Sequence, residues 1–322
     1  MKAGVATPNG LEIRDIPQPE PKPNEVLTRV RAASLNRADL NAARGGGGHI
    51  ALGATVGLDW AGEVVAVGNE VKGGFKPGDR VMCAGAGGYA EYAVADWGRV
   101  TPMPAQGLTF EQAATLPVAV ATMHDALITN GKLKPGESVM VQGASSGVGL
   151  MALQIAKLKG AGLVIGTSTN AERRAKLKDF GADLATDTGN PAWPDEVLKA
   201  TGGKGVNLII DQVSGSVANG NLKSAAILGR IVNVGRLGGG KAEFDFDLHA
   251  TRRITYIGVT HRTRSVHELR EEVRVMQADL ADAIAAGKLR LPIDKVFPLD
   301  KATEAQAYMK ANKHFGKILL VP

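Results

Sequence analysis

The chain has 322 residues, more than one hydrophobic core usually organises, and its 44% hydrophobic and 22% charged residues are those of a globular protein of two domains. The net charge of +6 comes from lysines and arginines scattered along the chain, and aromatics make up only 4%, which excludes a nucleic-acid surface of clustered basic and stacking residues. A single cysteine, Cys83, excludes an intrachain disulfide and any multi-cysteine zinc site, and is read as a small buried apolar residue.

No apolar run approaches the roughly 18 residues needed to cross a bilayer. The opening M-K-A-G-V-A-T-P-N-G lacks the apolar core of a secretory signal, so a cytoplasmic protein with no membrane partner is expected. Residues 1–100 read as short strands punctuated by glycine and proline, with strands over Val26–Ala33, Ala61–Val67 and Tyr89–Val94. Glu63 to Val81 reads as two barrel strands joined by a turn. The run Gly45–Gly48, followed by His49, reads as a mobile loop. Thr109 and Gln112 have capping-box spacing and predict a helix over Phe110–Leu116.

From about residue 120 the pattern becomes strand, helix, strand. Strands are expected at Ser138–Gln142, Leu163–Thr167, Leu184–Thr186, Val206–Asp211, Arg230–Val234 and Ile254–Val259, with helices such as Ala171–Phe180 and Trp193–Thr201 between them. This βαβ series implies a parallel sheet of the doubly wound kind. Ser265 and Glu268 form a second capping box that opens a long helix ending near Gly287, and Lys295–Pro322 reads as a return to short strands that rejoin the first domain. A ligand cleft between the two domains is the expectation.

The segment Ser138–Lys157, S-V-M-V-Q-G-A-S-S-G-V-G-L-M-A-L-Q-I-A-K, carries the chemistry. A strand delivers the chain to the glycine-rich turn Gly143–Gly149, and the helix that follows aims its free N–H groups and the positive end of its dipole at whatever occupies the turn. A diphosphate fits there, with Ser145, Ser146, Gly147 and Val148 as the residues that meet it. The spacing is not G-x-G-x-x-G, and a glycine-rich turn also serves close helix–strand packing alone, so both readings stand at this point.

In NAD-type units an acidic residue ends the second strand and binds the adenosine ribose. Here that strand ends Gly166-Thr167-Ser168-Thr169, with no carboxylate to repel a 2′-phosphate, and Arg173 and Arg174 follow. A guanidinium beside hydroxyls suits a phosphate, although both arginines also suit a solvated helix face.

Several motifs together resemble the zinc-free quinone oxidoreductase branch of the medium-chain dehydrogenase/reductase superfamily. They are Ser34-Leu-Asn36-x-x-Asp39, the run Gly57-L-D-W-A-Gly62-E-V-V-A-V-Gly68, Gly78-Asp79-Arg80-Val81, Leu116-Pro117, Gly136-Glu137, the turn Gly143–Gly149 and Gly316-Lys317-I-L-L. The resemblance covers nearly the whole chain. It implies an α/β protein with a GroES-like β-rich catalytic domain, 1–121 and 262–322, and a Rossmann doubly wound parallel-sheet domain, 122–261. It also implies NADPH as hydride donor and a homodimer joined along the last Rossmann strand, around Arg253–Thr260. Zinc-dependent relatives carry Gly-His-Glu where this chain has Gly57-Leu58-Asp59, and leucine cannot ligate a metal.

The resemblance extends the cofactor path to Thr122, Thr167, Ser168, Arg173, Val213, Gly235, Arg264 and Lys317; His124 is read as packing. Relatives often place an aromatic near Thr188, where this chain has threonine. Asn36 is the candidate to steady a substrate oxygen, Asp39 to brace its loop, and Asn41 stands where some relatives have a tyrosine. The function implied is NADPH-dependent, zinc-independent hydride transfer to a quinone. Reduction of an enone or enal double bond, and a non-enzymatic NADPH-binding role like that of some crystallins, are the alternatives.

Overall fold

The computed structural model describes residues 1–45 and 50–322. Gly46–Gly48 and His49, singled out in the sequence, lie outside the described residues. The chain forms two compact units, Met1–Ala121 with His261–Pro322, and Thr122–Thr260.

The first unit opens with a hairpin of β1 (Lys2–Thr7) and β2 (Gly10–Asp15). Its main sheet begins with β3 (Glu25–Ser34), β4 (Asp59–Val67), β5 (Arg80–Ala84), β6 (Tyr92–Asp96) and β7 (Val100–Pro102). β3 pairs antiparallel with both β4 and β6. The strand expected at Tyr89–Val94 starts later, at Tyr92. Tyr89 and Ala90 are held by the N-terminal strand instead: the Gly4 amide donates to the Tyr89 carbonyl at 2.6 Å, and Ala3 bridges Ala90. The Thr109 capping box forms as expected, but its helix ends at Ala114.

The second unit holds β8 (Ser138–Gln142), β9 (Leu163–Thr167), β10 (Leu184–Thr186), β11 (Val206–Asp211), β12 (Ala225–Asn233) and β13 (Thr255–Gly258). All pair in parallel, in the order β10-β9-β8-β11-β12-β13, so the winding reverses between β8 and β11. Ligands bind at that reversal in open α/β sheets, and the glycine-rich turn leaves β8 there. Met140, Ile165, Ile209 and Ile231 pack in its core with Trp193 and Leu222. β12 starts five residues before the expected Arg230, because Ala225 already pairs with Val206 before the register shifts. Leu228, at φ 63°, marks the irregularity. The helix expected over Ala171–Phe180 breaks into an α-turn, Ala171–Ala175, and a tighter 3-10 turn, Leu177–Phe180, closed by Gly181 at φ 102°.

The tail completes the first unit. β14 (Ile293–Pro298) and β15 (Lys317–Val321) pair in parallel, and β15 lies antiparallel to β3. Between them runs a helix, Ala302–Lys310, which corrects the expectation of strands alone. Its sequence, A-T-E-A-Q-A-Y-M-K, is rich in good helix formers, and Ala302, Ala305 and Met309 recur on one buried face. The long helix after Ser265 spans Val266–Ala285 behind a complete capping box. Val26, Val30, Trp60, Val64, Val81, Ile318 and Leu320 form the centre of this unit's core.

Candidate functional site

The turn after β8 is fixed by its own cap and by close backbone contact. Gly143 takes φ 69°, and Ser146 caps the helix Gly147–Leu158 by accepting the Gly149 amide on its hydroxyl at 3.0 Å. A Cβ on Gly149 would lie 2.6 Å from the Ala144 Cα and the Gly143 carbonyl, so helix and turn touch backbone to backbone. Among the described residues, the amides of Gly147 and Val148 have no hydrogen-bond partner; they are the free donors of a helix N-terminus. Ser145, Ser146, Gly147 and Val148 are all half-buried, forming a lip and not a core. This cradle fits a diphosphate in donor chemistry and in backbone approach.

Side chains from neighbouring strands hold the turn. Gln212 donates to the Gln142 carbonyl at 3.1 Å and accepts the Ser146 hydroxyl at 3.0 Å. Thr167 accepts the Gly143 amide at 3.1 Å and donates to the Gln142 side chain at 2.8 Å. Its hydroxyl is therefore spent on bracing. Gln142 also donates to Asn221 at 2.7 Å, and Asn221 donates to Asp211 at 2.9 Å. Burial raises the Asp211 carboxyl above its ordinary range, against the lowering effect of the Ser214 and Val213 amides. The sequence reading missed Gln142, Gln212 and Asn221. Only the polarity of Gln142 and Gln212 at the ends of apolar strands could have flagged two of them; Asn221 lies within the helix Ala218–Ser224.

At the end of β9, Ser168 donates to the Ser145 hydroxyl at 3.0 Å, tying that end to the turn. Arg174 donates to the Ser168 carbonyl at 2.7 Å and pairs with Asp187 at 3.0 Å, so it braces the backbone. Arg173 is half-buried on the helix capped by Asn170. Val213 is half-buried; a Cβ on Gly143 would approach its side chain to 3.4 Å. A Cβ on Gly235 would lie 2.7 Å from the Gln212 carbonyl, so Gly235 admits a close backbone crossing. Thr122 is half-buried on the helix Pro117–His124, and His124 is fully buried, as a packing residue would be.

The first unit contains a separate polar cluster. Asp59, wholly buried at the start of β4, takes four donors: the Val118 amide at 2.8 Å on one oxygen, and Ser34 at 3.1 Å, Asn36 at 2.9 Å and Lys317 at 2.9 Å on the other. Lys317, at the start of β15, also donates to the Asn36 Oδ1 at 2.9 Å. Asn36 caps the helix Arg37–Ala42, whose Asp39 returns a carboxylate oxygen to the Asn36 amide at 2.7 Å and accepts the Tyr89 hydroxyl at 2.9 Å. Asp39 thus braces the loop that presents Asn36. Burial pushes the Asp39 carboxyl up to about 7, and burial with the neighbouring Asp39 pushes the Tyr89 hydroxyl well above its ordinary range.

The structure brings Asn36 and Lys317 together and leaves Asn41 exposed, on the opposite side of the short helix from buried Asp39. Arg264 is committed to Glu272 at 2.6 Å, which His261 also meets at 2.7 Å. A catalytic zinc does not fit this donor set. Leu58 offers no ligand atom, the Asp59 carboxylate is saturated and faces an ammonium, and burial pushes the Cys83 thiol up to about 12. Among the described residues no three His, Cys, Asp or Glu side chains gather as metal ligands.

Comparison with known proteins matches residues 22–105 to the alcohol dehydrogenase GroES-like domain and 147–278 to the zinc-binding dehydrogenase family. The human quinone oxidoreductase is 32% identical over 98% of this chain and 94% of its own length. The mouse synaptic vesicle membrane protein VAT-1 homolog is 32% identical over 97% of this chain and 80% of its own length. Among solved structures, the Escherichia coli quinone oxidoreductase complexed with NADPH is 25% identical, with a TM-score of 0.87 over 100% of this chain and 99% of that one.

Proposed function

The chain is an oxidoreductase of the zinc-free quinone oxidoreductase family of medium-chain dehydrogenases/reductases, and we propose that it reduces small quinones with NADPH as the hydride donor. The observation that carries the reading is the cradle at Gly143–Gly149, braced by Gln142, Thr167 and Gln212, with the Gly147 and Val148 amides left to bind. NADPH, when bound, supplies the hydride. The chain's part is to seat the diphosphate, fix the cofactor's orientation and align an acceptor.

Three features support NADPH over NADH. Thr167 and Ser168 place no carboxylate at the end of β9, Arg173 stands nearby on the next helix, and a solved relative is complexed with NADPH. Backbone at Val213 and Gly235 and the side chain of Thr122 are proposed to meet the nicotinamide end. Asn36 is proposed to steady the acceptor's oxygen. An assay of NADPH oxidation dependent on 1,4-benzoquinone tests the reading: turnover that exceeds the NADH rate supports it, and no acceptor-dependent oxidation with either nucleotide overturns it.

Enone reduction is the second reading, since it uses the same cradle and the same proposed oxygen contact at Asn36. The ratio of turnover with 1,4-benzoquinone to turnover with an enone decides between the two. A homodimer is also proposed. β13 closes one side of the six-stranded sheet, and its exposed residues include Tyr256. Light scattering should give twice the 33.5 kDa chain mass; a monomer at working concentration contradicts the pairing.

A further inference from the structure

The long helix Val266–Ala285 is tied to the sheet of the first unit at two points, with a groove between them. At one, Arg270 donates through Nε and Nη2 to Asp96, the last residue of β6, at 2.8 and 2.6 Å. At the other, Gln277 donates to Thr101 of β7 at 2.7 Å. The groove encloses about 370 Å³, a volume that suits a small molecule. Its two walls differ in kind. Phe75, Trp97, Val100 and Pro102 make an apolar wall on the sheet side. His267, Arg270, Arg274 and Gln277 line the helix side, at a spacing that puts them on one helix face. Arg270 is preset. Its guanidinium lies over the Trp97 ring, 4.8 Å from the centroid, and a Cβ on Gly98 would collide with its stem, so a glycine there lets Arg270 lie flat against the chain. The Nη1 group of Arg270 makes no hydrogen bond among the described residues. Arg274 donates to Glu271 on the same helix, with side chains 67% and 59% exposed. Such a pair contributes little, so an incoming anion draws Arg274 away at small cost.

We propose that this groove is a second binding site, for a planar aromatic carboxylate whose ring lies against Trp97 and Phe75 and whose carboxylate meets Arg270 and Arg274. A wholly apolar molecule would cover the Arg270 Nη1 and leave it without a partner. A small hydrophilic anion would leave the half-buried rings of Trp97 and Phe75 in water. A flat ring with a carboxylate at its edge satisfies both walls, accepting from Nη1 of Arg270 and from the Arg274 guanidinium. The bond from Gln277 to Thr101 crosses from helix to sheet at the far end, which favours a compact ring over a long acyl chain. Every residue of the groove belongs to the first unit, and none belongs to the cradle at Gly143–Gly149 or to the cluster of Asn36, Asp59 and Lys317. The inference therefore stands apart from the reductase reading and does not depend on it.

The probe is 2-naphthoate, with 2-naphthalenemethanol as its uncharged counterpart, titrated into the full chain labelled with 5-fluorotryptophan, with and without NADP⁺. Trp60 and Trp193 are buried, at 0% and 5% exposure, so Trp97 alone of the three tryptophans is open to a ligand. Its fluorine resonance, assigned with Trp97→Phe, should shift saturably with naphthoate while the other two stay in place. Arg274→Ala should weaken naphthoate about tenfold, the loss of one charge-assisted contact. Glu271→Gln should strengthen it about twofold by releasing Arg274. A pair that serves stability alone would move both variants the same way. The alcohol should bind at least about fivefold more weakly than the acid. Movement of all three resonances, or of none at millimolar naphthoate, overturns the proposal. So does equal affinity for acid and alcohol, or wild-type affinity in Arg274→Ala. Competition between NADP⁺ and naphthoate would put the acid in the nucleotide's own site and overturn it as well.

Discussion

The cradle of the second unit is made mostly of consecutive backbone, Gly143 to Gly149, whereas the polar cluster of the first unit draws Ser34, Asn36, Asp59 and Lys317 from three separated strands and a loop. The cradle works through amides that any sequence with glycine in the right places would supply. The cluster works through side chains whose value depends on one another, since Asp59 without Lys317 is a buried charge and Lys317 without Asp59 is another. Binding a constant diphosphate suits the first construction.

The largest expected effect breaks the cradle. Gly149→Val places a side chain where Cβ alone meets the Ala144 Cα and Gly143 carbonyl at 2.6 Å. Helix and turn must separate, and NADPH binding measured by calorimetry should fall at least about 10²-fold, since loss of several aligned donors removes more than one charge-assisted hydrogen bond. Retention of wild-type affinity would show that the cofactor does not use this turn.

The second prediction concerns the loop behind Asn36. The Asp39 carboxyl is pushed up to about 7 by burial, above its unfolded value of about 3.9. Between those values the folded protein holds a proton that the unfolded chain has released. Stability is therefore complete at the acid end of this window and declines as pH rises towards 7, by an amount on the order of a few kcal/mol. Asp39→Asn mimics the protonated form and should remove that decline from denaturation curves taken across the window. An unchanged slope would remove Asp39 from the account.

A smaller effect separates the two arginines after β9. Arg173→Ala should raise the NADPH KM about tenfold to a hundredfold, the value of one charge-assisted contact of about 1.5–3 kcal/mol, and leave the NADH KM nearly unchanged. Arg174→Ala should act on both cofactors alike and lower the melting temperature, because Arg174 ties Ser168 to Asp187. Equal changes for both cofactors at Arg173 would contradict its assignment to the 2′-phosphate.

The contrast between the two sites also explains what the sequence could reveal. Ser138–Gln142, Leu163–Thr167, Leu184–Thr186 and Val206–Asp211 form over the expected residues, because buried parallel strands are short apolar runs bounded by turns. The cradle was legible for the same reason, being local. The helix Ala302–Lys310 was not, since a short helix leaves only two turns of periodicity to read. The bond between Asn36 and Lys317 spans 281 residues and exists only because β15 lies beside β3. Asn36 and Lys317 are each visible through motifs, but their pairing is not. Asn41, named because some relatives place a tyrosine there, is turned by the helix to the side opposite Asp39. Gln142 and Gln212 carry only the weak signal of polarity at the end of an apolar strand, because their role is to satisfy a turn that tertiary structure brings to them.

A crystal structure of the NADPH complex tests the central claim most directly. The account predicts diphosphate oxygens within about 2.7–3.2 Å of the Gly147 and Val148 amides, at the turn held by Ser146 and Gln212. A diphosphate seated elsewhere, or no bound nucleotide at saturating NADPH, would contradict it.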